Sequence, residues 1–304
     1  MDQEPRAPLP PPPHTLLPPD LKGVAEPMHR AGDLEVRLAR TEAEVLAAQA
    51  LRYAIFYEEM GARASEERAA QRLDVDAYDP FCDHLLVVDH SAGPGGPQRV
   101  VGTYRLLLQR VAARHAGFYS ADEFDLGPLL AGAGSGQQLL ELGRSCVAAD
   151  HRSAATINLL WRGIATYLGQ HNVSHMFGCG SLHGTDPRGH VRELAYLHHH
   201  HLAPPELRAR AHDGLRVETD ALPRGSYDVR QAARALPPLI KGYLRVGAMI
   251  GDGAFIDRDF NTIDVFVIMP VERIADRYAG RFEVAGAGGG RAVGDGPEGA
   301  DAGA

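Results

Sequence analysis

Hydrophobic and polar residues alternate with the periods of strands and helices soon after the start of the chain. Leu34–Leu38 alternates with a period of two, which predicts a strand. Thr41 and Glu44 have the spacing of a capping box, so a helix is expected to begin there. Gly61 stands where a glycine would end that helical segment.

Two apolar segments then flank a turn that is rich in glycine and proline. Residues 84–89 and 99–108 are predominantly apolar, and residues 92–97 lie between them. This arrangement predicts a β-hairpin. Residues 115–137 follow as a glycine-rich stretch, which is expected to be a long loop.

The second half of the chain alternates strands with helices. Leu139–Val147 reads as a central strand, and Ser153 is positioned to cap a helix after it. That helix is expected to bury four apolar residues at helical spacing, namely Ile157, Leu160, Ile164 and Leu168. A strand over 173–179, a helix that begins at 186–187 and a strand over 263–268 complete the pattern. The order predicts a mixed α/β fold with an antiparallel first half.

The two ends of the chain differ from this pattern. The first twenty residues contain eight prolines, and the last residues consist mostly of glycine, alanine and aspartate. Neither composition supports a packed core. We therefore expect a disordered arm over 1–32, one domain over 33–282 and a disordered tail over 283–304.

Composition narrows the classes of function. The formal net charge is −8 over 304 residues, which argues against nucleic acid as a partner because phosphates are bound by basic surfaces. No apolar segment is long enough to span a membrane, and no secretory signal is recognisable. Three widely spaced cysteines fit a reducing compartment. We expect a cytoplasmic protein, with peripheral contact to the inner membrane left open.

The junction between the central strand and its helix is a candidate binding site. Ligands collect at the carboxyl ends of strands, and the start of a helix attracts phosphate. Arg152 and the N–H groups of Ser153, Ala154 and Ala155 could hold a phosphopantetheine phosphate. An ordinary capped helix explains the same residues equally well.

Charged residues inside apolar segments form a second candidate site. Glu141 and Arg144 interrupt the central strand, although residues three apart on a regular strand face opposite sides unless a bulge intervenes. Arg52 and Arg105 also have apolar neighbours. These three arginines could pair with the aspartates of an acidic stretch, Asp74, Asp76 and Asp79. Such a network would serve as scaffold and as substrate site alike.

Histidine and cysteine do not favour a metal site or a covalent mechanism. The run over 198–201 ends a helix, and neighbouring helical positions point in different directions, so we expect a solvated helix end and no bound metal. Cys146 and Cys179 lie on predicted strands, where a buried thiol is usually structural.

As a set, these motifs resemble those of a known enzyme family. The set comprises Arg52-x-x-x-Phe56, Asp76 and Asp79, Tyr104-Arg105-Leu106, Glu141-x-x-Arg144, the block 239–247, Asp257 to Phe260 and Asp264. It is similar to the signature of acyl-homoserine-lactone synthases and more so to that of bacterial ornithine N-acyltransferases. The resemblance covers about residues 34–270.

The resemblance implies a fold, a reaction and roles for residues. It implies a GNAT-type acetyltransferase fold, with a mostly antiparallel central sheet flanked by helices. It also implies transfer of a 3-hydroxyacyl group from acyl carrier protein to the α-amine of ornithine, giving lyso-ornithine lipid. The phosphopantetheine thioester of the carrier is then the donor, so no separate cofactor is expected. Ornithine could be replaced by a similar amine.

Within that reaction, Glu141 is expected to be the general base, acting directly or through water. The substrate-binding residues would be Arg52, Phe56, Asp76, Asp79, Arg105 and Arg144. Backbone N–H groups of Cys146 and Val147 would stabilise the oxyanion. Four residues, Phe118, Phe124, Leu139 and Trp161, are candidates for an acyl tunnel, and Arg110, Arg114, Arg152 and Arg162 for a face that docks the carrier.

Two alternatives stay open. One is an acyl-homoserine-lactone synthase, which would use S-adenosylmethionine. The other is a non-catalytic module on the same fold that senses an acyl carrier or a lipid. A buried acid among three arginines favours catalysis over sensing, although a structural network could also retain these residues.

Overall fold

The computed structural model of the protein describes residues 28–93, 95–132 and 136–272. The described strands are β1 (His29–Ala31), β2 (Leu34–Leu38), β3 (Asp83–Asp89), β4 (Arg99–Leu108), β5 (Phe124–Asp125), β6 (Gln138–Val147), β7 (Val173–His183), β8 (Arg210–Ala211), β9 (Arg216–Val217), β10 (Met249–Asp257) and β11 (Thr262–Pro270). The described α-helices are α1 (Glu42–Tyr53), α2 (Glu66–Gln71), α3 (Gln109–Ala112), α4 (Gly127–Gly132), α5 (Ala154–Gln170), α6 (Val191–His201), α7 (Val229–Ala235) and α8 (Pro238–Arg245).

Local signals at the start of the domain produce the structure that they predict. Thr41 accepts a hydrogen bond from the N–H of Glu44, and the Glu44 side chain accepts one from the N–H of Thr41, which completes the capping box of α1. A π-helical segment, Ala54–Glu59, continues from α1. Gly61, with φ of 78°, follows the end of the helical run as predicted.

The strands form one mixed sheet in the order β1-β2-β3-β4-β6-β7-β11-β10-β8-β5, and β9 pairs with β10. The described pairs are antiparallel except β6 with β7 and β10 with β8. The predicted mixed α/β fold with a mostly antiparallel sheet is confirmed.

Hydrophobic cores cover both faces of this sheet. On β6, Leu140 packs into the core beneath α5, while its neighbour Leu139 packs into the core on the opposite face. Leu160 and Ile164 of α5 are buried as predicted, but Ile157 is 47% exposed, so its assignment to the inner face was wrong. The buried face of α5 instead begins at Thr156, which is 1% exposed, and Ile157 lies beside that face.

Several elements differ from the sequence prediction. The expected loop over 115–137 contains β5 and α4. After Asp186, a short 3-10 turn precedes α6, which begins only at Val191. Strand β10 was not predicted because Gly251 and Gly253 weaken its strand pattern. A Cβ on Gly251 would lie 2.5 Å from the carbonyl oxygen of Ala209, so close strand pairing requires the glycine.

The ordered domain begins earlier than residue 33. Residues 29–31 form β1, and His29 lies opposite Val36 of β2. The expected arm therefore does not include these residues. The rest of that arm, the boundary at 282 and the expected tail lie outside the described residues.

The central strands β6 and β7 separate part of the way along their length. They pair in parallel only from Gln138 to Glu141. Beyond Glu141, β6 remains paired with β4, and β7 remains paired with β11. The sheet therefore opens at the carboxyl end of β6, which is where an α/β sheet places a ligand.

Candidate active site

A cavity of about 500 Å³ lies in this opening. Residues 142–147 of β6 form one wall, and Cys179 and Ser181 of β7 form another. Other lining residues come from β4, from the π-helical segment, from α8 and from the β10–β11 hairpin, and they include Arg105, Phe56, Glu59, Leu239, Tyr243, Asp257, Phe260, Thr262 and Asp264. Elements from both halves of the chain therefore enclose one site.

Glu141 lines the cavity at the residue where the two strands separate. Its side chain is 5% exposed and accepts hydrogen bonds from the N–H of Tyr119 (2.8 Å), the N–H of Ser120 (2.7 Å) and the hydroxyl of Ser120 (2.5 Å). Burial raises the pKa of Glu141, and these hydrogen bonds partly oppose the rise. A carboxylate with a raised pKa beside a cavity is suited to accept a proton.

A bulge brings Arg144 to the same cavity. Its φ of 51° is unusual for a residue other than glycine, and the β4–β6 register shifts between Thr103 and Arg105. Glu141 and Arg144 therefore both line the cavity, although a regular strand would point them to opposite sides. The sequence predicted that Glu141 and Arg144 would share a surface only if a bulge lay between them, and the bulge is present.

The expected network of arginines and aspartates is present and buried. It comprises Arg52, Arg105, Arg144, Asp74, Asp76 and Asp79. Arg52 is fully buried and donates to Asp74 at 2.7 Å and to Asp79 at 2.9 Å. Burial opposes ionisation of Asp79, but Arg52 and Arg105 hold its pKa well below the usual value. The network is therefore a charged scaffold beneath the cavity.

The network only partly matches the predicted substrate site. Arg105 and Arg144 line the cavity, whereas Arg52, Asp76 and Asp79 do not. Both aspartates are occupied by arginines, since Arg105 bridges Asp76 at 2.5 Å and Asp79 at 3.1 Å. The structure does not bring Asp76 and Asp79 to the cavity, where a cationic substrate would bind.

Aromatic side chains hold Arg144 in position. The Cζ atom of Arg144 lies 4.7 Å from the ring centre of Tyr119 and 4.5 Å from that of Phe260. Phe56 packs edge-on against Phe260, with ring centres 5.8 Å apart. Phe56 thus forms part of the cavity wall, as its place in the motif suggested.

The predicted phosphate site has the structure of a capped helix. Ser153 accepts a hydrogen bond from the N–H of Thr156, and the first-turn N–H groups of Ala154 and Ala155 have no acceptor within α5. Arg152 lines the cavity and donates to both carboxylate oxygens of Glu59, at 2.6 and 2.7 Å. Phosphate binding at this helix start stays a prediction.

Cys146 and Val147 line the cavity beside this helix start. Burial raises the pKa of the Cys146 thiol to about 12, so the thiol is protonated at neutral pH. This state favours direct attack by the amine over an acyl-enzyme on Cys146.

An acidic cluster that the sequence pattern did not indicate lies at the other end of the cavity. Glu123, Cys179 and Asp264 each place a potential ligand atom within 4.8 Å of the others, and no other such group of three occurs in the described residues. Burial and the charge of Asp257 raise the pKa of Asp264 to about 6. Asp264 is an acid in an otherwise apolar strand, the same signal that singled out Glu141. Glu123 gave no such signal because it lies in the irregular segment before β5.

The histidine run does not form a metal site with other residues in the described ranges. His198 hydrogen-bonds to Thr219, and His199 to Tyr227, at the end of α6. These contacts fit the expected helix end. The expectation that the chain binds no metal remains a prediction.

Two minor expectations are contradicted. None of the four tunnel candidates lines the cavity, since Phe118, Phe124 and Leu139 are packed in a core and Trp161 contacts Tyr243 edge-on. The four docking arginines do not form one face either. Arg110 follows β4 beside the start of β6, whereas Arg152 follows the end of β6, about 30 Å away along a ten-residue strand.

Comparison with known proteins identifies the family. Residues 51–162 match the acetyltransferase (GNAT) domain family. The L-ornithine N(alpha)-acyltransferase of Agrobacterium fabrum is 48% identical over 249 residues, covering 82% of this chain and 85% of its relative. The enzyme of the same name from Rhizobium meliloti is 45% identical over 272 residues, and the match covers 86% of this chain and 92% of the Rhizobium protein. The chain belongs to the L-ornithine N(alpha)-acyltransferase family.

Membership in this family confirms the resemblance seen in the sequence and the acyltransferase class.

Among solved structures, FeeM, an N-acyl amino acid synthase from uncultured soil microbes, is similar to this protein. The likeness covers 82% of this chain and 97% of the FeeM chain, with 12% identity and a TM-score of 0.46. No helix in the described ranges is long and apolar enough to cross a membrane.

Proposed function

We propose that this chain transfers a 3-hydroxyacyl group from acyl carrier protein to the α-amine of L-ornithine, giving lyso-ornithine lipid. Family membership supports acyl transfer to ornithine. The observation that carries the mechanism is the buried carboxylate of Glu141, which lines the cavity where β6 and β7 separate.

In this mechanism, Glu141 accepts a proton from the α-ammonium group, directly or through water. The free amine attacks the thioester carbonyl, so that a C–N bond forms. Collapse of the tetrahedral intermediate breaks the C–S bond, and the carrier's phosphopantetheine leaves as a thiolate that takes up the second proton lost by the attacking nitrogen. The proton on Glu141 is then released to solvent. The neutral thiol of Cys146 takes no part in this sequence.

The donor's phosphopantetheine arm would enter between the separated strands. Backbone N–H groups near Cys146 and Val147 would stabilise the oxyanion, and Arg152 with the first turn of α5 would bind the phosphate. Arg105 and Arg144 would face the carboxylate of the acceptor. The thioester supplies the acyl group, so the proposal includes no other cofactor.

We also propose that the enzyme acts in the cytoplasm and releases its product to the inner membrane. Leu239, which is 41% exposed, lies where α8 meets the cavity and would contact the lipid surface. Much of the surrounding segment, residues 236–250, is packed, since Ile240 and Ile250 are buried, whereas Pro238 and Arg245 are exposed, as is Leu239.

The reaction is tested with purified protein, 3-hydroxyacyl carrier protein and L-ornithine. Mass spectrometry should detect N-acyl ornithine, and thiol release should match it in amount. Formation of a homoserine lactone from S-adenosylmethionine would instead establish the synthase alternative. Donor binding without any product would establish the sensing alternative.

Glu141→Gln should lower kcat by about 10²- to 10⁴-fold, the usual contribution of a general base. Ser120→Ala is the matched control because it removes one hydrogen bond to Glu141 but keeps the carboxylate. It should raise the pKa of Glu141 and move the acidic limb of the kcat profile to higher pH. Normal turnover by folded Glu141→Gln, checked by thermal melting, would remove Glu141 from the mechanism.

A further inference from the structure

One end of the cavity holds buried acids that their neighbours do not neutralise. Asp257 and Asp264 line it, and carboxylate oxygens of Glu123 and Asp264 and the sulfur of Cys179 lie within 4.8 Å of one another. Within the described ranges, no lysine or arginine forms an ion pair with any of the three acids. Arg144 is near enough to influence Glu123 and Asp264, but its hydrogen bonds go to Asp74 and Asp76.

Oδ1 of Asp264 and Oγ1 of Thr262 at this end also have no partner with hydrogen-bonding geometry. The side chains of Ser181 and Thr262 are nonetheless close enough to Asp264 to lower its pKa against the effect of burial. Asp264 is 5% exposed and Thr262 2% exposed, and both residues line the cavity. Buried polar atoms are rarely left unsatisfied, so these two mark a place where a ligand donates hydrogen bonds.

The chemistry of these atoms defines the ligand. Carboxylate oxygens accept hydrogen bonds, and several acids close together favour a positive charge. A primary ammonium carries one positive charge and three N–H donors on a single atom. Asp257 is already partly occupied, because its Oδ1 accepts from the N–H groups of Asp259 and Phe260. Its role is therefore mainly electrostatic, while Asp264 provides the direct contact.

The position of this cluster separates it from the proposed base. Glu141 lies opposite Phe177 of β7, and Asp264 lies opposite Ser181 of the same strand. Cys179 stands between these positions, and the charges of both Glu141 and Asp264 act on it. The two carboxylates therefore belong to positions on either side of Cys179, four residues or about 13 Å apart along β7. An acceptor with one amine at each end can present one nitrogen to each carboxylate.

We propose that Asp264, with Asp257 and Glu123, binds the side-chain ammonium of a diamino acid acceptor while its α-amine reacts beside Glu141. This inference rests on the proposed function and adds the basis of its selectivity. An acceptor of similar length without the terminal amine would leave the acids unpaired, so the cavity discriminates against it.

The test compares L-ornithine with L-norvaline, which lacks only the terminal amine, as acceptors for 3-hydroxyacyl carrier protein. The wild-type enzyme should strongly prefer ornithine. Asp264→Asn should raise the KM for ornithine about 10- to 100-fold, the value of one charged hydrogen bond, with little change in kcat. The low rate with norvaline should not change.

Asp257→Asn is the second variant, since an asparagine oxygen can still accept the two hydrogen bonds of the turn. It should also raise the KM for ornithine selectively. Asp259→Asn is the matched control because Asp259 is an exposed acid in the same turn, and it should behave as wild type. Thermal melting verifies that each variant is folded.

The possible outcomes are distinct. Equal wild-type use of norvaline and ornithine would overturn the inference and leave the proposed function intact. No acylation of either acceptor would overturn both. An equal loss of kcat on both acceptors in Asp264→Asn would mean that Asp264 acts on the attacked amine. Loss of turnover on chelation, restored by Zn²⁺, would mean that the cluster binds a metal.

Discussion

Buried acids beneath the cavity and at its far end have pKa values that are shifted in opposite directions. Beneath the cavity, burial opposes ionisation of Asp74, but Arg144 and Arg52 lower its pKa. At the far end, burial and neighbouring carboxylates raise the pKa values of Asp264 and Glu123. The first group stabilises the folded state when ionised, whereas the second destabilises it. Acids that destabilise the folded state when they ionise are suited to bind a cation, because the cation neutralises them.

Asp264→Asn should therefore increase stability near neutral pH. Because the folded-state pKa is raised from 3.8 to about 6, the wild-type residue loses stability as pH rises through 6. Asparagine does not ionise, so the variant should gain about 1 to 3 kcal/mol in free energy of unfolding at pH 8. Denaturant unfolding measures this gain, which should shrink towards pH 4. An equal difference at both pH values would contradict the assignment.

Individual residues of the site differ in how well the sequence reveals them. Glu141 and Asp264 are predictable because each interrupts an apolar strand. The bulge at Arg144 is not, since nothing about an arginine predicts a φ of 51°. Glu123 is not predictable either, because tertiary packing brings its irregular segment beside Cys179.

Helix α5 packs closely against strands β2 and β3, and this packing fixes its position beside the cavity. A Cβ on Gly163 would lie 2.7 Å from Cγ2 of Val36 and 3.1 Å from Cδ1 of Leu85. The helix therefore approaches β2 and β3 closely, and its start stays fixed beside the cavity. The helix itself was predictable from its cap and periodicity. Strand β10 was not, because glycines required by strand pairing hide its pattern.

Gly163→Ala should lower the free energy of unfolding by about 1 to 3 kcal/mol, since an added methyl group overpacks the helix–sheet contact. Gly169→Ala is the matched control within the same helix, because a Cβ there meets nothing within 4 Å. It should be neutral or gain up to about 1 kcal/mol from helix propensity. Denaturant unfolding of both proteins makes the comparison, and equal destabilisation would show that the close contact is not the cause.

At the scale of the molecule, the charge distribution limits where an acidic carrier protein can dock. The net charge of −8 repels an acidic partner, so docking depends on local positive groups. Arg152 stands at the cavity and is partly exposed, whereas Arg110 lies near the opposite end of β6. Sequence spacing could not separate the two, because their distance depends on strand pairing.

Arg152→Glu should raise the KM for the carrier substrate several-fold, with a smaller effect on kcat and weaker dependence on salt. Arg110→Glu introduces the same change of charge far from the cavity and should leave the KM unchanged. Steady-state kinetics at two ionic strengths tests this. An equal effect of both variants would indicate repulsion by total charge and would reject docking at the cavity.

The segment between β4 and β6, which contains Tyr119, Ser120 and strand β5, connects distant parts of the sheet. It leaves the end of β4, donates to Glu141 from Tyr119 and Ser120, and pairs through β5 with β8 at the far edge. Both ends of this segment lie in the half-sheet that contains β4 and β6, and β5 pairs with β8 in the other half-sheet. Since β6 and β7 share only a short paired stretch, this segment provides a second, hydrogen-bonded link across the cavity. Any hinge motion that widens the cavity must therefore also displace the backbone donors of Glu141, which ties its proton affinity to the opening of the site.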